Sequence, residues 1–483
     1  MLVTDFLHFI NDILWGSVLI YLLAGAGLWF TFRCGFVQFR YFTQFRSLIR
    51  SQPPHDSAGI SPFQALCTSL AARVGSGNIA GVALALTMGG PGAIFWMWVV
   101  AIIGMATSFA ECSLAQLYKR RDGEGRYLGG PAWYMESGLG MRWMGVMFSV
   151  FLMLAFGLIF NAVQANSIAH AVNHAFAVPK TWVGMVLIVL TAGVIWRGMR
   201  GTARVAQYLV PFMALIWVMM GLYVVALHIE RVPEVIMLVI KSAFGWQEAA
   251  SGALAFTSGQ VITTGFQRSM FANEAGMGST PNAAAAASAW PPHPASQGLL
   301  QMFGIFINTL IICTATAAII LFSGVLDNPT ISSDGITLVQ TALSGMLGSW
   351  ASGFIAFIIF LFAFTSIVAN YAYAENNLLF LQQKSPFTLV LFRCLALVMV
   401  MFGTLSSLPL VWQLADVAMA LMAITNLIAI LLLSPVVRDL TADYLRQQKL
   451  GVVPVFDPNR FPEIKSQLAP GVWDGLSATK TQR

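Results

Sequence analysis

Charge is what this chain has least of. Only 10% of its 483 residues are Asp, Glu, Lys or Arg, and 57% are hydrophobic; a soluble globular domain carries about a quarter charged residues. So little charge excludes a soluble domain of this size and points to a polytopic membrane protein. The formal net charge of +6 belongs to membrane topology, because a nucleic-acid binder clusters its basic residues on one soluble face, interleaved with aromatics. The five cysteines (Cys34, Cys67, Cys112, Cys313 and Cys394) are odd in number, scattered, and free of any CxxC pair. That excludes a disulfide frame and a structural zinc site. HExxH, GxSxG and GxxxxGK[ST] are absent as well, which removes the motif-based cases for a zinc hydrolase, a serine hydrolase and a nucleotide-driven pump. The opening MLVTDFLHFIND lacks Lys and Arg, so it is not read as a cleaved signal peptide.

Long apolar runs are what remains. About 20 apolar residues cross the hydrocarbon core, and that ruler gives eleven spans: 13–33, 63–87, 93–118, 146–172, 181–199, 205–228, 252–271, 298–323, 351–382, 387–404 and 409–436. Residues 230–245 are expected to form an amphipathic surface helix, and 437–483 a polar tail. Basic residues set the orientation. Arg33, Arg40, Arg46 and Arg50 follow the first span, Lys119–Arg142 the third, and Arg197–Arg204 the fifth. Arg268 and Lys384 follow the seventh and ninth, and more basic residues occupy the tail. Opposite loops hold only Lys180, Arg231 and Lys241. The N-terminus is therefore expected outside and the C-terminus in the cytoplasm.

Setting the first span aside (1–62 with its loop) leaves two sets of five, 63–228 and 252–436, joined by 229–251. Five is odd, so the second set enters from the side opposite to the first. Each set opens on an interrupted helix. The first carries Gly75-Ser76-Gly77-Asn78 in its middle; the second carries Ser258-Gly259-Gln260 and Gly265. Unwound backbone in hydrocarbon leaves amides unpaired at several kcal/mol each, and is tolerated only around a buried, hydrated cavity. Paired broken helices in an inverted repeat are the sequence pointer to a transporter's binding site. The expected fold is therefore an all-α membrane protein with a peripheral N-terminal helix and a five-plus-five inverted repeat. Gly77 and Gly81 also fit an ordinary GxxxG packing face.

The runs LAARVGSGNIAGVALALTMGGPGAIFWMW (70–98) and FQRSMFANEAGMGSTPNAAAA (266–286) resemble the alanine or glycine:cation symporter family across all eleven spans. That family shares the fold of the bacterial leucine transporter. The resemblance implies sodium-driven import of a small neutral amino acid through a bacterial inner membrane by a chain acting as a monomer. No cofactor beyond the coupling ion and no nucleic acid are implied. It implies a sodium site built from the carbonyls of Ala71 and Val74 and the hydroxyls of Thr365 and Ser366. It also implies a substrate site at Gly75, Ser76, Gly77, Asn78 and Gln164.

The residues themselves leave alternatives. Freed amides can meet a carboxylate and freed carbonyls a hard cation, and Asn78 offers a neutral oxygen. Thr365 and Ser366 can instead bond their own i−4 carbonyls, and Gln164 can simply join two helices. Phe256, Thr257, Gly259 and Ile262 are expected to close over a small side chain. Arg73 and Asn370 depart from the family pattern. A charge at mid-membrane costs at least about 2.5 kcal/mol, so Arg73 is expected to pair with Glu111 or Asp416, to replace a cation, or to snorkel outward. A proton-coupled or ion-independent exchanger, with Arg73 in a cation's place, is the rival mechanism. Asn273-Glu274-Ala275-Gly276-Met277-Gly278 reads as the cytoplasmic end of the seventh span, either a hinge or a cap.

Overall fold

Residues 2–50, 58–195, 198–245, 257–327, 335–381 and 385–473 are described by a computed structural model, and most of them lie in helices. Among the described residues, eight helices are long and apolar enough to cross a membrane: α1 (Asp5–Arg33), α4 (Gly92–Leu117), α5 (Arg142–Phe176), α7 (Gly201–Leu227), α10 (Pro294–Ser323), α12 (Trp350–Phe380), α13 (Pro386–Leu405) and α14 (Leu408–Leu432). The pair α2 (Pro62–Arg73) and α3 (Gly77–Gly89), bent by 55° at the break, passes the same test when taken together, for up to nine. The other two expected spans correspond to shorter helices, α6 (Lys180–Ile195) and α9 (Ser258–Asn273).

Local sequence accounts for where the two leading helices start. Ser61 accepts from Gln64 N while the Gln64 side chain accepts from Ser61 N, and Pro62 occupies the first helical position; each satisfies or removes an orphan N–H of the first turn. Thr257 and Gln260 form the same reciprocal box for α9. The second start corrects an expectation. Helix α9 runs unbroken through Gly259 and Gly265, and its chain unwinds only over residues 274–280. Gly265 serves close packing instead, since a Cβ there would lie 2.6 Å from Trp96 Cβ and 2.9 Å from Ala93 O.

Arg268 is a second correction. It is not a loop charge but a buried residue within α9, paired with Asp416 of α14 at 2.5 Å. Between α10 and α12, where no element was expected, lies α11 (Ile336–Leu347), an apolar helix too short to span. The expected amphipathic segment is α8 (Val232–Ala243).

Helix α4 packs along α9 and α10, α5 along α12 and α13, and α7 against α2, α10 and α12. The tail is more ordered than its polarity suggested. Helix α15 (Ser434–Lys449) and the chain beyond it fold back over the ends of α4 and α10. Phe456 N donates to Pro292 O (2.9 Å) and Trp473 Nε1 to Leu117 O (3.0 Å). His293 Nε2 stands 3.5 Å from Asp443 Oδ2. Burial alone would raise the Asp443 carboxyl, but the neighbouring His293 and hydrogen bonds from Gln447 and Arg446 hold it at about 2.

Candidate functional site

The first break is short and held by neutral amides. Helix α2 ends at Arg73, and Val74 leaves helical geometry at ψ 76°. The chain then restarts as a π-helical turn over Gly77–Gly81, a form of irregularity that recurs at functional sites. Gly75 N donates to Asn78 Oδ1 (3.3 Å) and Ser76 N to Gln164 Oε1 (2.8 Å). Gly75 has no room for a side chain, because a Cβ would come within 2.5 Å of Ser366 Oγ and 2.8 Å of Gln164 Oε1. Asn78 reaches the other way, donating from Nδ2 to Asn308 Oδ1 (2.6 Å), while Thr316 Oγ1 donates to Asn78 O (2.7 Å).

The second break is longer and held by a carboxylate. After Asn273 the chain passes through three positive φ angles: Glu274 (59°), Gly276 (78°) and Gly278 (82°). Glycine tolerates such angles and Glu does not readily. Glu111 of α4, fully buried, accepts Gly276 N (3.3 Å) and Gly278 N (3.2 Å). Asn426 Nδ2 donates both to Glu111 (2.8 Å) and to Gly276 O (2.9 Å). Charge-assisted bonds of this kind are about twice as strong as neutral ones.

The first break packs against the last turn of α9, just before the second. A Cβ on Gly77 would touch the Phe271 ring at 2.7 Å and Ala272 Cα at 3.3 Å, and Asn308 Nδ2 donates to Ala272 O at 2.6 Å. Asn308 therefore joins Asn78 of the first break to the end of α9. Phe271 also packs on Phe160 and Trp412, with ring centroids 4.8 and 4.6 Å apart. Arg268 lies 4.8 Å from the Trp412 ring centroid. An aromatic layer topped by a buried ion pair thus covers one side of the meeting point.

The expected site residues divide into three groups. Gly75, Ser76, Gly77, Asn78 and Gln164 come together at the first break, where Ser366 Oγ also donates to Ala71 O (2.8 Å) and Phe362 O (3.0 Å). Thr365 turns to its own helix, donating to Leu361 O (3.0 Å) and Phe362 O (2.9 Å). Thr257 and Gly259 are exposed at the start of α9 and do not line the meeting point, Ile262 is half-buried, and Phe256 lies outside the described residues. Asn370 is buried one turn from Ser366, and among the described residues neither its amide oxygen nor its nitrogen has a partner.

Arg73 departs from every expected pairing. Its guanidinium is 1% exposed, so it does not snorkel. It donates to Gln301 O and Ser108 Oγ, both at 3.3 Å; no acid lies within 4.0 Å of it among the described residues, and Asp416 is taken by Arg268. Sequence reasoning missed Asn308 and Phe271, and treated Glu111 only as a partner for Arg73. The available signal was a lone Asn or Glu in an apolar span, where polar groups mark function.

Freed amides beside buried neutral oxygens can hold the two ends of a zwitterion and a hard monovalent cation. No group of three or more His, Cys, Asp or Glu positioned to hold a metal ion occurs among the described residues. The profile of the sodium:alanine symporter family matches residues 1–458. The chain belongs to that family. A transporter of Escherichia coli (strain K12), YaaJ, is 60% identical over 98% of this chain and 99% of its own. A probable sodium/glutamine symporter of Bacillus subtilis (strain 168), GlnT, is 47% identical over 92% and 91%. A sodium/alanine symporter of Methanococcus maripaludis, AgcS, is 38% identical over 89% and 94%. As a family member the chain is a multi-pass membrane transporter and not an enzyme, and it couples amino-acid movement to sodium.

Proposed function

We propose that this family member imports a small neutral amino acid, alanine or glycine, with sodium by alternating access across a bacterial inner membrane. The N-terminus lies outside, the C-terminus in the cytoplasm, and the monomer is the working unit. The observation that carries the reading is the packing of the first break, at Gly77, against the last turn of α9, at Phe271-Ala272, just before the second break. Burying both charges of a zwitterion is prohibitive unless each is met by partners, and here each can be. The amides of Gly75 to Gly77 take the carboxylate. Gln164 and Asn78 give oxygens to the ammonium, and Phe271 packs on the side chain. Sodium sits between Ser366 Oγ and the carbonyls of Ala71 and Val74, with Thr365 as a further oxygen. Asn370, buried and unpaired, widens side-chain acceptance toward polar groups. The AgcS and GlnT relatives, named for alanine and glutamine, support neutral amino acids as the substrate class.

The rival, in which Arg73 replaces a cation, has less support. The Arg73 guanidinium is turned to Gln301 and Ser108 and leaves the oxygens around Ser366 to an ion. Replacing external sodium by choline in proteoliposome uptake separates the two. Alanine uptake should fall at least about tenfold, equivalent to about 1.4 kcal/mol of coupling. Undiminished uptake in choline would establish the sodium-independent mechanism instead.

A further inference from the structure

Amino-acid binding leaves unused a set of buried charges next to the breaks. Arg73 of α2 is 1% exposed, Glu111 of α4 is 0% exposed, and Glu274 of the second break is 2% exposed. Their formal charges, +1, −1 and −1, leave one negative charge without a counterpart. None of the three stands within 4.0 Å of an opposite charge among the described residues. Arg73 Nε has no partner among the described residues. Glu111 is committed, since both of its oxygens accept N–H groups. Glu274 is not committed in that way: among the described residues its side chain accepts only from the Ser279 hydroxyl.

A second observation points at the same acid. Tyr373 of α12 is 0% exposed and its hydroxyl has no hydrogen-bond partner among the described residues; Glu274, Arg73 and Cys112 are its charged or titratable neighbours. Arg73 of α2 and Tyr373 of α12 neighbour Glu274, Glu111 of α4 holds Gly276 and Gly278 of the same loop, and Cys112 neighbours Glu111 and Tyr373. Tyr134 of the short helix Pro131–Ser137 faces Glu111 and Cys112. Among the described residues, α10 and α14 contribute the neutral Gln301 to Arg73 and Asn426 to Glu111.

An uncompensated carboxylate in such a place is costly. A proton cancels the excess charge and needs no cage of oxygens. Sodium would need several oxygens close to a guanidinium, and the Glu111 pair is already occupied by N–H groups. We propose that Glu274 is a proton-binding site, loaded from the side of the basic loops, and that its protonation permits that side of the transporter to close. The carboxylate takes one proton from hydronium and water is left; on opening, hydration of the cavity returns the proton to the same side. The proton is thus a condition of closure and not a coupled ion. The proposal rests on the sodium-coupled import read above.

The test is sodium-driven alanine uptake into right-side-out vesicles, with the external pH fixed and the internal pH varied from about 6 to about 9. Wild-type uptake should fall about tenfold per unit above a midpoint, the slope of one proton. E274Q should give a flat profile across the same range. A profile for E274Q parallel to wild type would overturn the proposal, and so would a wild type that responds to internal sodium and not to internal pH. Should E274Q fail to fold, S279A decides: with the hydroxyl that donates to Glu274 gone, the midpoint should move upward with the slope unchanged. An unmoved midpoint overturns the assignment. A wild type with no sodium-driven uptake at any pH would instead sink the transport reading on which this one stands.

Discussion

The two helix breaks are closed in opposite ways. At the first, the freed amides of Gly75 and Ser76 are capped by the neutral side chains of Asn78 and Gln164. At the second, Gly276 N and Gly278 N are capped by the carboxylate of Glu111. A neutral hydrogen bond contributes about 1 kcal/mol net, and one to a charged group about 1.5–3. An incoming carboxylate can therefore displace Gln164 from the first break at little cost, whereas it gains nothing by displacing another carboxylate, Glu111, at the second. One break is built to exchange its caps for substrate and the other to keep its shape.

The sharpest way to break this comparison is at Glu111. Glu111→Gln sets an amide NH2 against backbone N–H groups and removes charge assistance from the bonds that survive, a loss of about 2–5 kcal/mol. Thermal unfolding should come at markedly lower temperature, and alanine uptake should fall at least about 100-fold. A variant with wild-type stability and uptake would mean that the second break is not held by this acid. The next largest effect belongs to Gln164. Gln164→Ala should weaken alanine affinity at least about tenfold, the 1.4 kcal/mol of one charge-assisted contact, while leaving unfolding nearly unchanged. Wild-type affinity would make Gln164 a helix–helix contact and nothing more.

The smallest difference concerns two adjacent hydroxyls. Ser366 reaches across to Ala71 O, but Thr365 bonds within its own helix. Changing both to alanine should abolish sodium stimulation of uptake. Ser366→Ala alone should account for most of that loss and Thr365→Ala for the lesser part, as read from sodium-concentration curves. The reverse order would place the ion on the Thr365 side of α12.

The first break was legible in the sequence because a polar glycine cluster interrupts an otherwise apolar run at 75–78. The second was misplaced by about a helix length. Gly259 and Gly265 looked like breakers, yet one is an exposed position in the first turn of α9 and the other makes room for Trp96. The residues that do unwind, 274–280, read equally well as the capped end of a helix. What settles the matter is Glu111, more than 160 residues away along the chain. No local pattern announces a carboxylate that caps a distant backbone. Family membership and helical class were readable, because motif and hydropathy are local properties. Pairings across helices, such as Arg268 with Asp416 and Asn78 with Asn308, depend on packing that one sequence does not display.

The most direct measurement is a high-resolution structure of the protein with sodium and alanine bound. The alanine carboxylate should lie within hydrogen-bond distance of Ser76 N, with Gln164 Oε1 turned away to the ammonium, while Glu111 still accepts Gly276 N and Gly278 N. Alanine bound elsewhere with Gln164 still on Ser76 N, or Glu111 released from the second break, would contradict the division of labour between the two breaks.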